Sequence, residues 1–312
     1  MGLGLAALGR PAYITLGRDV DLGADRDGIT MEQRCHHMLD AAYEAGVRYV
    51  DTARSYGRAE EFLASWLRER RLTPGAVAVG SKWGYRYTGA WNMHAAVHEA
   101  KDLSLAMFQD QLPWTMGLLG PHLALYQVHS ATLESGVLDD AAVLGALAEL
   151  GDRGVAVGLT VSGAGQADVV RHALEVEVAG VNPFSTVQAT WNLLESSVGP
   201  ALAEAHARGW GVLVKEVVAN GRLTGRGDHR SRGALEDVAA RRAASVDQVA
   251  IAAALGQPWA DVVLSGAVTP AQLGSNLAAL DLSLTEEERD ELASLTEDPL
   301  TYWNRRAALP WQ

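Results

Sequence analysis

Cysteine is almost absent: Cys35 stands alone in 312 residues, which excludes an internal disulfide. It falls on the apolar face of a helical pattern, where packing rather than reactivity is expected. Long apolar runs are missing too. None approaches the roughly 18 residues that span a membrane, so no membrane partner is expected. The first residues, Met1-Gly2-Leu3-Gly4-Leu5-Ala6, lack the basic start of a signal peptide, and Ala6 stands where a myristoylation signal has Ser or Thr. A cytoplasmic protein is expected. A basic excess is also missing: the formal charge is −12, which argues against nucleic acid as a partner, because neutralising phosphates requires a basic patch. Gly2, Gly4 and Ala7 imitate a dinucleotide-binding glycine motif, but nothing precedes them to act as the strand such a motif must follow.

What is present is a rhythm. Met31, Cys35, Met38, Leu39 and Ala42 recur at helical spacing behind a Thr30/Gln33 capping box and stop at Gly46. A strand at 47–51 follows, then a helical stripe of Ala59, Phe62, Leu63, Trp66 and Leu67, a Pro74-Gly75 turn and a strand at 76–82. The alternation continues through helices at 95–111, 139–150, 166–178, 199–208 and 270–280 and strands at 123–129, 154–161, 185–190, 211–215 and 261–265. An irregular stretch, 217–243, precedes a helix capped by Ser245 and Gln248, and an acidic helix opened by Thr285 and Glu288 starts a tail with Tyr302, Trp303 and Trp311. With an initial strand inside 3–16, strands and helices alternate often enough to predict a single-domain (β/α)8 barrel over 1–312, with 217–243 and 285–312 over its mouth. A doubly wound open sheet is the alternative, but it needs a switch-point fingerprint that is not found.

A barrel of this kind carries its active site at the carboxyl ends of its strands. Those ends present Asp51, Lys82 and His129, and Tyr56 follows on the loop after Asp51. Each has an ordinary explanation by itself: a turn residue, a solvated strand end, a core histidine, a packing aromatic. Their convergence favours chemistry. A tyrosine ionises near pH 10, and an adjacent ammonium lowers that value, which makes Tyr56 a usable general acid with Lys82 held by Asp51 and His129 in hydrogen-bonding reach of a substrate oxygen. No nucleophile-elbow serine is present. His94 and His98 are four apart on the expected helix, yet Ala95 stands where a zinc protease has its glutamate and no third ligand is evident, so no metal is expected. A soluble hydride donor such as a nicotinamide cofactor fits best.

Asp51-Thr52-Ala53-x-x-Tyr56-Gly57, Gly80-Ser81-Lys82 and Tyr126-Gln127-Val128-His129 together resemble the aldo-keto reductase superfamily in order and spacing over nearly the whole chain. The resemblance implies Asp51, Tyr56, Lys82 and His129 as a catalytic tetrad with Tyr56 as acid, an extended cofactor across the strand ends, and reduction of an aldehyde or ketone. It further implies Ser162 and Gln188 as contacts to the nicotinamide carboxamide. Lys215 stands where the family often has an aromatic stacked on the nicotinamide ring, and its stem would have to serve instead. Gly266 and Gln272 occupy positions where members selective for NADP often have a basic pair; Asn276 is retained. NADP(H) is expected first, with NAD(H) as alternative, and Gln272→Arg should favour NADP(H). Trp83, Tyr85 and Trp303 are expected to line a pocket for a small carbonyl compound. Oxidation of a sugar or alcohol with NAD is the second reading, and a nucleotide-binding regulatory subunit the third.

Overall fold

The computed structural model describes residues 1–228 and 233–312. Eight short strands pair in parallel and close on themselves: β1 (Gly2–Gly4), β2 (Tyr49–Asp51), β3 (Ala78–Trp83), β6 (Leu123–Ala131), β7 (Ala156–Val161), β8 (Thr186–Thr190), β9 (Gly211–Lys215) and β10 (Val262–Ser265), with β1 joining β10 to β2. This is the (β/α)8 barrel the alternation predicts, in one domain. Helices α2 (Gly28–Glu44), α3 (Ala59–Glu69), α5 (Ala141–Asp152), α6 (Gln166–Leu174), α7 (Gly199–Ala207), α9 (Val246–Leu255) and α10 (Pro270–Ala278) ring it. Leu159, Val187 and Val212 on the strands and Leu63, Leu147, Val170 and Leu202 on the helices are fully buried in one continuous core.

The barrel interior is layered. A Cβ on Gly80 would stand 2.1 Å from the Tyr49 hydroxyl, and one on Gly158 would stand 2.0 Å from Thr186 Oγ1 and 3.3 Å from Gln127 Cγ. Tyr49, Gly80, Gln127, Gly158 and Thr186 therefore share one inward layer, small residues facing large ones. Side chains alternate along a strand, so the residues two further on face inward one layer closer to the mouth. They are Asp51, Lys82, His129, Thr160 and Gln188. The Gly80-Ser81-Lys82 stretch is thereby explained from below: glycine makes room for Tyr49, and the lysine two residues later reaches the site.

Several local expectations need correction. The helix expected at 95–111 begins at Leu105 and runs to Leu119 (α4), capped by Ser104, whose Oγ accepts from Met107 N at 3.3 Å. Residues 99–101 instead form β5 (Glu99–Lys101), antiparallel to β4 (Tyr85–Tyr87), in a hairpin outside the barrel. His94 and His98 consequently share no helix face: His98 stacks on Trp311 at 4.2 Å, and no group of three potential metal ligands occurs among the described residues. Helix α2 is capped by Asp27, which accepts from Ile29 N and Thr30 N, so the Thr30/Gln33 box lies inside the helix. Asp27 wins because a carboxylate placed before the first turn satisfies two free N–H groups at once. The stretch 217–243 is not irregular throughout, since Gly233–Arg241 forms α8; residues 229–232 of that expectation lie outside the described residues. The capping boxes at Ser245/Gln248 and Thr285/Glu288 are present as expected, the second opening α11 (Glu286–Ala293). The tail continues into α12 (Pro299–Ala307). Among the described residues no helix is long and apolar enough to cross a membrane.

Candidate active site

Asp51, at the end of β2, and Lys82, on β3, are 3 % and 1 % exposed. The Lys82 ammonium donates to Asp51 Oδ2 and, at 2.9 Å, to the Thr52 carbonyl, which together use two of its three N–H donors. Gln188 Nε2 donates to the other Asp51 oxygen at 2.8 Å. The loop after β2 is bound to β3 by Thr52 N to Gly80 O at 2.8 Å and Arg54 N to Lys82 O at 3.1 Å, which carries Tyr56 over the lysine. Gly57 follows in the left-handed region at φ 62°, and a Cβ there would stand 2.5 Å from the Gly9 carbonyl. The Tyr-Gly pair is thus a requirement of close packing between two loops.

Lys82 Nζ lies 4.8 Å from the centre of the Tyr56 ring, and the Tyr56 and His129 rings meet edge to face at 5.5 Å. His129 is aimed by an irregularity in β6. Its register against β7 shifts between Val128 and Ala131, and Ser130 takes φ 53°, a backbone state rare outside glycine. The Thr160 hydroxyl accepts from Ser130 N at 2.7 Å and fixes the kink. The structure thus brings Asp51, Tyr56, Lys82 and His129 together at one end of the barrel.

The electrostatics depart from the expected tuning of the tyrosine. Burial pushes the Tyr56 phenol well above its ordinary value, and the Asp51 carboxylate adds to the rise, with Arg10 opposing it. A unit charge about 5 Å away is worth on the order of 3 kcal/mol at an effective dielectric near 20, so the adjacent carboxylate largely offsets the Lys82 charge and burial decides. Tyr56 rests protonated. His129 is held well below the usual imidazole range, first by burial and then by the Lys82, Lys215, Arg10 and Lys101 charges. It is neutral at pH 7 and has one N–H to give.

Asp51, Tyr56 and His129 open onto a cavity of about 760 Å³ lined also by Tyr85, Ser162, Gln188, Lys215, Gly266, Gln272, Asn276 and Trp303, with Lys82 buried behind them. Trp83 is a correction. It is fully buried beside Phe108, with ring centres 5.1 Å apart, and takes no part in the lining; as the residue after an inward-facing lysine it points out of the barrel into the helix layer. Gln272 Nε2 donates to Asp21 Oδ2 at 2.8 Å, and Asp21 also receives Arg226 Nη1 at 2.7 Å. Asn276 Nδ2 donates to Ser265 Oγ at 2.8 Å.

Two features of the cavity have no counterpart among the residues singled out in the sequence. Arg10, 2 % exposed, lies about equally close to the rings of Tyr13, Tyr56 and Trp311, at 5.0, 5.2 and 5.0 Å, and pairs with Glu99 at 2.7 Å. Glu216, after Lys215, takes a two-point ion pair from Arg306 on α12. The only sequence hint of the first was an isolated arginine inside the small, apolar N-terminal stretch.

The Aldo/keto reductase family matches residues 13–297. The chain belongs to that family. Among solved structures, the aldo-keto reductase AKR11C1 from Bacillus halodurans in its holo form superposes with TM-score 0.70 at 20 % identity, covering 96 % of this chain and 92 % of its own. The glycerol dehydrogenase AKR11B4 from Gluconobacter oxydans superposes with TM-score 0.70 at 21 % identity, covering 94 % and 90 %. At such identities these two are evidence for the shared fold. No curated protein matches the chain. Family membership makes the chain an oxidoreductase of the kind that uses nicotinamide cofactors.

Two observations fit a cofactor of that kind. Gln188 Oε1 is buried in the site without a protein donor, a position suited to the N–H of a carboxamide. A Cβ on Gly163 or Gly266 would meet nothing within 4 Å, so both glycines border open cavity wide enough for a bulky ligand against the backbone.

Proposed function

We propose that this enzyme reduces the carbonyl group of a small aldehyde or ketone to an alcohol, with Tyr56 as proton donor. The observation that carries the reading is a protonated, buried Tyr56 hydroxyl set beside a neutral His129 and above the Lys82–Asp51 pair, at the wall of the cavity. When bound, a nicotinamide cofactor supplies the hydride. Tyr56 gives its proton to the substrate oxygen as negative charge builds there. The Lys82 ammonium, close to the ring face, stabilises the phenolate that this leaves, and Asp51 and the Thr52 carbonyl hold the ammonium in place. His129 donates its N–H to the same oxygen and orients the carbonyl. Gln188 fixes Asp51 with its amide nitrogen and offers its amide oxygen to the cofactor. Tyr85, Trp303 and Trp311 give the cavity aromatic walls that exclude water.

The second reading, NAD-linked oxidation of an alcohol, has one observation in its favour. The Asp21 carboxylate lies against Gln272, where an adenosine 2′-phosphate would meet like charge. Fluorescence titrations with NADPH and NADH, followed by a panel of aldehydes, ketones and alcohols in both directions, separate the two. Tyr56→Phe should lower turnover by about 10²-fold or more while leaving cofactor affinity within a factor of about 2. Full activity in that variant would remove Tyr56 from the mechanism.

A further inference from the structure

Lysine is used sparingly. Of the 26 Lys and Arg residues only Lys82, Lys101 and Lys215 are lysines, and all three stand at the catalytic end of the barrel. Everywhere else a positive charge is an arginine, which does not lose its proton in proteins. Lys82 is committed to Asp51, and Lys101 lies at the rim, donating to the Ser130 carbonyl at 2.7 Å. Lys215 is different. It closes β9, lines the cavity and donates to the Thr190 hydroxyl at 2.7 Å, with no carboxylate within ion-pairing distance among the described residues. Thr190 is two residues beyond Gln188 on β8, so the Lys215 ammonium stands one layer nearer the mouth than the Gln188 amide whose oxygen lacks a donor.

The neighbouring carboxylate offsets it only in part, because that carboxylate is shared with an arginine. Glu216, at φ 57°, accepts from the same Thr190 hydroxyl at 3.3 Å, but Arg306 takes both of its oxygens. The charged groups acting on the Lys215 ammonium are Glu216 from its own strand end, Arg306 from α12, Lys82 from β3 and Asp51 from β2. Two are cations and two are anions, each anion already paired to a cation. With Lys215 itself the cluster holds three cations and two anions, so one net positive charge faces the part of the cavity beside Tyr56 and His129, where the reactive ring of a hydride donor would meet a carbonyl.

We infer that Lys215 discriminates between the two redox forms of the nicotinamide cofactor by charge, binding the reduced form in preference and expelling the oxidised one. The inference rests on the proposed carbonyl reduction. In that reaction a hydride, carrying two electrons, leaves the ring for the carbonyl carbon while the Tyr56 proton goes to the oxygen. The ring thereby changes from neutral to a unit positive charge. An ammonium beside it is indifferent to the first state and repels the second. An aromatic residue at this position would stack on both forms without that penalty. Lysine also permits a release that arginine would not. Burial first, with Arg306 and Lys82 adding and Glu216 opposing, lowers Lys215 to about 8, so a cationic ring arriving beside it drives off a proton.

The test is the ratio of dissociation constants, oxidised over reduced, measured by fluorescence and calorimetric titration with NADP+ and NADPH and with NAD+ and NADH. The wild type should show a ratio of about 10 or more near pH 7, a 1.4 kcal/mol preference. The ratio should fall as pH rises through 8, and binding of the oxidised form should release protons, seen as a dependence of the binding heat on the buffer's ionisation enthalpy. Lys215→Tyr and Lys215→Met should both lower the ratio at least 5-fold and abolish the proton release. Lys215→Arg should keep the ratio and lose its pH dependence. Circular dichroism identifies any variant that fails to fold, and the other substitutions then carry the comparison. A ratio unchanged in both uncharged variants, with tight binding retained, overturns this inference and leaves the proposed function standing. Failure of the wild type to bind any of the four nucleotides overturns both.

Discussion

Asp21 has two claims on it: Arg226 reaches its carboxylate from the loop after β9, and Gln272 reaches it from the start of α10. This changes what a basic residue at 272 would do. An arginine introduced there meets Asp21 before it meets a phosphate. Gln272→Arg alone should shift the preference for NADP(H) over NAD(H) by less than about 3-fold, whereas Gln272→Arg with Asp21→Asn should shift it by about 10-fold or more, because the double change frees two guanidinium groups. Competition titrations with both cofactors decide this, and equal gains from the single and double variants would contradict it. At this scale the sequence was informative where a residue's neighbours are near in the chain. Asp51 and Tyr56 are five positions apart, and Lys82 stands two residues after Gly80, whose absence of a side chain is visible in the letters. Arg10 and Glu99 are 89 positions apart and meet only because the hairpin folds back over the N-terminal loop, so nothing local announces their pairing. The pocket role expected of Trp83 failed for a related reason. Adjacency to a catalytic lysine along a strand means the opposite face, because side chains alternate with a period of two.

Helix α12 contributes Trp303 and Arg306 to the cavity, and the Glu216–Arg306 pair ties it to the end of β9. Burial alone would raise the Glu216 carboxyl, but the Arg306 and Lys215 charges bring it down to about 2. A carboxyl depressed in the folded state stabilises that state above its unfolded value near 4.5 and ceases to do so as pH falls toward 2. The tail helix should therefore loosen between those values, read as a shift in tryptophan emission from Trp303 and Trp311 at a pH where far-ultraviolet dichroism is still native. Arg306→Met, which strands Glu216 without a partner, should destabilise the fold by about 3 kcal/mol in urea and remove that acid transition. A variant as stable as the wild type would show that the pair is solvated. Elements with a strong period were readable in advance, α3 and α5 among them. The hairpin of β4 and β5 was not. Its residues Val97-His98-Glu99-Ala100-Lys101 have too few apolar positions to declare either period, and they become a strand only because Tyr85-Arg86-Tyr87 lies alongside.

Across the whole molecule the barrel was legible because it is built by repetition: each helix-strand unit repeats one pattern, and closure follows from the number of units. A tail over the mouth was expected, but its clasp to the loop after β1 was not legible, since that depends on two segments far apart in the sequence meeting each other. Tyr13 and Gln312 exchange backbone hydrogen bonds at 2.9 and 3.0 Å, Arg18 Nη1 donates to the Gln312 carbonyl at 2.8 Å, and Trp311 is packed between Arg10 and the His98 ring. Removing residues 309–312 should leave the barrel cooperative, with a melting temperature lower by about 2–4 °C, as expected for about 1 kcal/mol in a chain of this size. Substrate KM should rise several-fold as the rim opens. Loss of cooperative unfolding would mean that the rim supports the barrel itself.

That same clasp decides which side of the molecule can carry a burden. The amino group of Met1 precedes β1 at the floor of the barrel, whereas Gln312 is fastened beside Tyr13 at its mouth. A peptide, fluorophore or surface linkage attached ahead of Met1 departs on the side away from the cavity. One attached after Gln312 emerges among the residues that frame the entrance, where it obstructs the traffic of small molecules or pulls the clasp apart. Immobilisation through the amino end should preserve access, and immobilisation through the carboxyl end should restrict it.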